Sequence, residues 1–111
     1  MMQGLALKSA FFILLVIAVA LEVIGDVFFK KWSLESKNFL LIIGLAFYFT
    51  GTVFWAVSLK YEFLSKAISV FTVLNLIAVV LVGVLMFKED LSLLNKIGIC
   101  LGVLSVILIE I

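Results

Sequence analysis

From Ala10 to Leu21 the chain carries no charge, and the same apolar run continues to Phe29 with two acids inside it, Glu22 and Asp26. A run of this length fits the hydrocarbon of a bilayer. Glu22 lies eight residues before Lys30, the first basic flank. In a helix rising about 1.5 Å per residue that separation is roughly 12 Å of depth. Holding a charged side chain near the middle of a membrane costs ~2.5–3.5 kcal/mol on insertion scales, and such residues are usually functional. Asp26 follows one turn after Glu22 on the same helical face, and Lys30 one turn after that.

Composition agrees with the membrane reading. Of 111 residues, 67% are hydrophobic and 14% charged, and proline is absent. Soluble domains are about 45–50% apolar and about 25% charged. The length allows four spans of about 20 residues with short turns between them, in one domain covering residues 1–111. A net charge of +1 offers no field for nucleic acid. With no histidine and a single cysteine, Cys100, there is no intrachain disulfide, no Cys/His metal site and no His-dependent hydrolase. Cys100 itself reads as a small hydrophobe in an apolar helix. All basic residues are lysine, which argues against a dedicated phosphate or carboxylate clamp of the arginine type. No cofactor and no metal are expected. Lys8 with Ala18-Val19-Ala20 imitates a cleavable signal, but the apolar run passes that point, as a span does.

The pattern predicts an all-α integral membrane protein with four helices over about 8–29, 39–59, 65–87 and 92–110. In the first, Ala18, Glu22, Gly25 and Asp26 share a face, so small residues flank the acid. Trp32 sits at the start of the polar loop 30–38, where an interfacial aromatic belongs. In the second helix Gly44, Tyr48, Gly51, Thr52 and Trp55 fall near one face. The glycines permit close helix packing, and the aromatics can form a wall for a cation. Tyr48 is mid-helix, and its hydroxyl needs a partner. The third helix carries a stripe of Ser65, Ser69, Thr72 and Asn75. In lipid the Asn75 amide must face protein or water. Ser92 is placed to cap the fourth helix, in which Gly98, Gly102 and Ser105 make a small-residue face suited to helix association.

These residues resemble the small multidrug resistance family, within the drug/metabolite transporter superfamily, over nearly the whole chain. The most specific part is Leu21-Glu22-Val23-Ile24-Gly25 with Lys30 after it. It looks like the family's first-helix motif, whose glutamate binds proton and substrate alternately, a role that carries onto Glu22. Tyr48 matches the second-helix tyrosine, and Gly98 and Ser105 match small residues of a fourth-helix dimer contact. The resemblance is that of a divergent member. Phe71 stands where the family usually has a binding-site tryptophan, and Ile68 stands at a nearby tyrosine position. Val73 and Asn75 replace a glycine pair, and Asp26 replaces a small neutral residue.

The resemblance implies a multi-pass protein of the cell's inner (plasma) membrane, not an enzyme, that exports organic cations by proton antiport. Quaternary ammonium, guanidinium-like and polyamine compounds are the expected substrates. Glu22, Asp26, Tyr48, Phe71 and Asn75 are the candidate proton and substrate site. Partners are the lipid bilayer and a second subunit, either the same chain or a paralogue, arranged antiparallel. The superfamily also contains four-helix subunits that move lipid-linked sugars or assist another protein, and a non-pumping role of that kind is the alternative. Asp26 has two readings: paired with Lys30 near the polar boundary, or turned toward the site and titrating jointly with Glu22.

Orientation follows from lysine placement. Lys8, Lys60 and Lys66 fall on one side; Lys30, Lys31, Lys37, Lys88 and Lys96 fall on the other. Three against five is a weak topological instruction. A tag on the C-terminus is therefore expected on both membrane faces, with two added lysines biasing insertion. A single orientation of the unmodified chain would exclude the antiparallel homodimer and leave the paralogous pair.

Overall fold

The computed structural model describes residues 2–110, the side chains of 2–5 and 110 apart. Its helices are α1 (Met2–Glu35), α2 (Asn38–Ser58), α3 (Leu64–Met86) and α4 (Leu93–Glu110). Segments Ala6–Glu35, Asn38–Ser58 and Leu64–Met86 are long and apolar enough to cross a membrane, and Leu93–Ile109 is a shorter apolar helix. Large apolar side chains lie exposed on every helix, among them Ile13, Phe49, Leu85 and Leu94. That pattern suits a surface whose solvent is lipid.

The expected helix α1 over 8–29 is too short at both ends. The observed helix has 34 residues, a length of about 51 Å, against a hydrocarbon thickness of about 30 Å. The edge of the apolar run marks the membrane boundary, and nothing there breaks the helix. Lys30, Lys31, Leu34 and Glu35 are good helix formers, with no proline or glycine among residues 30–35. The helix stops where Ser36 turns left-handed, at φ 57°, its N–H bonded to the Trp32 carbonyl at 2.7 Å. Trp32 Nε1 reaches Asn38 Oδ1 at 3.5 Å across the turn.

α1 and α2 form one compact unit and α3 and α4 a second. In the first, a two-residue turn, Ser36–Lys37, fixes the register of an antiparallel pair. Residues equally far from that turn face each other. Phe29 and Gly44 are seven residues from it, Gly25 and Tyr48 eleven, Glu22 and Gly51 fourteen, and each of these pairs is in contact. The glycines make the approach possible. A Cβ on Gly25 would lie 2.9 Å from the Gly44 carbonyl oxygen and 3.2 Å from the Tyr48 ring. One on Gly44 would lie 2.7 Å from the Phe29 ring. This is the small-residue packing available to helices in lipid, where hydrophobic burial gives no drive for association. Phe28 stacks on Phe47 at 5.8 Å and Phe29 meets Tyr48 at 5.7 Å, toward the turn end of the pair.

In the second unit α3 runs unbroken through Val73 and Asn75. It ends with Lys88 left-handed, at φ 53°, and with the Phe87 and Glu89 N–H groups both on the Gly83 carbonyl. The Glu89 carboxylate folds back over Gly83, in the space a side chain there would fill. Ser92 caps α4 as expected, its hydroxyl accepting from the Asn95 N–H at 3.1 Å.

Gly25→Ala puts a methyl against a backbone oxygen that cannot turn away. It should lower stability by about 1–3 kcal/mol, measured as a fall in the unfolding midpoint in detergent. An unchanged midpoint would mean that the α1/α2 approach is looser than described.

Candidate proton and cation site

Glu22 is only 5% exposed. Its place follows from the register: α1 presents it to α2 opposite Gly51, and glycine leaves room for it. A Cβ on Gly51 would lie 2.8 Å from Glu22 Cγ and 3.1 Å from the Ala18 carbonyl oxygen. Ala18, one turn before the acid, is fully buried in the same contact stripe. The Glu22 carboxylate is therefore held by its stem, with its polar end directed along α2.

At that end stands Thr52. Its hydroxyl donates toward Glu22 Oε1 at 3.3 Å and toward the Tyr48 carbonyl oxygen at 2.9 Å. The Tyr48 ring lies over Gly25, one turn along α1 from the acid, and within electrostatic reach of both Glu22 and Asp26. Asp26 is half-buried and near enough to act electrostatically on Glu22. The first unit thus brings together three expected residues, Glu22, Asp26 and Tyr48, and adds Thr52. Trp55 is half-buried one turn beyond Gly51, its carbonyl accepting from the Ser58 hydroxyl at 2.6 Å.

The remaining expected residues belong to the second unit. Phe71 and Asn75 are both half-buried, one turn apart on α3. Asn75 Oδ1 is buried and has no hydrogen-bond partner among the described residues, an expensive condition for an amide oxygen in an apolar span. The Ser69 hydroxyl, earlier on α3, is spent on its own helix, at 2.8 Å from the Ser65 carbonyl. The three small residues of α4 differ in surroundings. A Cβ on Gly98 would meet nothing within 4 Å, whereas one on Gly102 would touch Leu76 and Val73 of α3 at 3.8–3.9 Å. Ser105 is exposed and bonds back to the Leu101 carbonyl at 2.9 Å. It lines a shallow groove with Ile68, Ser69, Thr72 and Val73.

Sequence reasoning placed Thr52 near the Tyr48 face but gave it no role. The missing signal was the turn. Once Ser36–Lys37 is the centre of the hairpin, the register sets Thr52 beside the level of Glu22.

Chemically, the site pairs a buried carboxyl with a hydroxyl, a phenol ring and a second acid. Such a carboxyl can carry a proton or, once ionised, attract a cation. The sequence profile of the family described as Small Multidrug Resistance protein matches residues 10–102, a span that includes Glu22, Asp26, Tyr48 and Thr52 and ends within α4. No curated protein and no solved structure matches the chain.

Proposed function

The chain belongs to the small multidrug resistance family of multi-pass membrane transporters, and on that footing we propose that it is a proton-coupled antiporter of organic cations with Glu22 as the coupling acid. The observation that carries this reading is the burial of Glu22 between α1 and α2, beside the Thr52 hydroxyl and the Tyr48 ring. Proton and cation are alternative counter-charges for one carboxylate. When a cation arrives the proton leaves; when the cation departs the proton returns. Antiport follows if the site opens to one membrane face at a time. Quaternary ammonium, guanidinium-like and polyamine compounds fit this chemistry, with aromatic faces such as Tyr48 adding cation–π attraction.

One chain of this size supplies a single Glu22, and an antiparallel pair supplies two. Gly98, open in the single chain, is suited to close approach by a second helix 4, with Ser105 on or near the same face. The near-balanced lysine distribution is compatible with opposed orientations of identical chains.

Glu22→Gln keeps the size of the side chain and removes its ionisation. In reconstituted vesicles with an imposed pH gradient, it should insert and fold yet abolish proton-driven uptake across a cation panel and the pH dependence of binding. Gradient-driven transport that persists in this variant would exclude Glu22 as the coupling group.

A further inference from the structure

Thr52 has one hydroxyl proton and two acceptors within reach. Its Oγ1 stands 2.9 Å from the Tyr48 carbonyl oxygen and 3.3 Å from Glu22 Oε1. A single O–H cannot serve both at once, so its direction depends on which acceptor is stronger. The charge on Glu22 decides that. An ionised carboxylate accepts roughly twice as strongly as a neutral group, so the hydroxyl turns to Oε1. The Tyr48 carbonyl then keeps the N–H that α2 already supplies to it. A protonated carboxyl is itself a donor. Its O–H points to Thr52 Oγ1, and the threonine proton turns back to the Tyr48 carbonyl, the bond a helical threonine makes readily. Thr52 is exposed and Glu22 is buried, and in both states the hydroxyl gives the buried carboxyl a partner.

We propose that Thr52 is a positioning residue that sets the proton affinity of Glu22, its hydroxyl swinging between the carboxylate and the Tyr48 carbonyl as the proton leaves and returns. The inference rests on the reading of Glu22 as the coupling acid. The other titratable groups acting on Glu22 from α1 and α2 are Asp26 and Tyr48. Both are retained in every Thr52 variant, so their influence is constant. Gly51 is the companion of this arrangement. It lets the Glu22 stem lie against α2, which brings Oε1 within range of the next residue along.

The sign of the effect is fixed. A hydrogen bond donated to the charged form favours that form. Thr52→Val keeps the shape and removes the hydroxyl, so both states lose a hydrogen bond, but the ionised carboxylate loses the stronger one, a charge-assisted bond being roughly twice a neutral one. Deprotonation then needs higher pH, and so does cation binding.

The test is the pH profile of tetraphenylphosphonium binding to the purified full chain in detergent. In Thr52→Val the midpoint should move up by about half a unit or more, equivalent to roughly threefold weaker binding on the acid side of the midpoint. Saturable binding at the alkaline plateau shows that the variant is folded. Thr52→Ser retains the hydroxyl and should restore the parent midpoint. Infrared difference spectra give a second readout: the carboxyl C=O band that Glu22→Gln removes should move to higher frequency in Thr52→Val. An unchanged midpoint with an unchanged band overturns the inference, as does a shift that Thr52→Ser fails to reverse. A parent chain whose binding shows no pH dependence overturns the Glu22 reading itself, an outcome distinct from a normal parent profile with a silent Thr52→Val.

Discussion

The rest of the arrangement depends on how closely two helical backbones approach. α1 and α2 meet through Gly25, Gly44 and Gly51, at separations that leave no room for a methyl group. Because they come this close, the side chains between them lose their solvent, and Glu22 is the one that matters. In a looser hairpin the same carboxylate would be lipid-facing or wet. Lipid contact would hold it neutral, and water would ionise it freely. Neither condition lets a proton and a cation compete on equal terms. The tight contact instead buries the carboxylate beside a hydroxyl and a phenol ring, the surroundings that the proposed exchange of proton for cation needs.

The same contact explains why these positions need particular residue types. Tyr48 can lie over α1 because Gly25 has no side chain, and the Phe29 ring can lie over α2 because Gly44 has none. Each aromatic is set against the glycine that is its mirror across the Ser36–Lys37 turn. One short turn therefore fixes which part of α2 lies beside the acid, and with it the Thr52 hydroxyl at its end and the Tyr48 ring one turn along. The second unit follows a different logic. Its hydroxyls at Ser69 and Ser105 are satisfied within their own helices, while the buried Asn75 oxygen is not.

The number and placement of the helices were legible in the sequence, because apolar runs of near-membrane length are separated by charged turns. The starts and ends of α2, α3 and α4 came within a residue or so of those expected. α1 did not, since charge marks the edge of the membrane whereas backbone conformation marks the edge of a helix, and only Ser36 supplies the latter. Glu22 was legible because an acid inside an apolar run is conspicuous. Thr52 was not, because a helical threonine ordinarily bonds to its own backbone, and one of its two hydrogen bonds does just that. The contrast between Gly98 and Gly102 was hidden for another reason: spacing shows that two glycines share a face, but not which of them a neighbouring helix already covers.

The central claim is that proton and cation exclude each other at Glu22. It is tested most directly by measuring protons released when tetraphenylphosphonium binds the unmodified chain in weakly buffered detergent solution, near the midpoint of its pH profile. The account predicts acidification that rises with the amount of cation bound and saturates with it. Cation binding that saturates with no proton released would contradict the account, whatever the affinity.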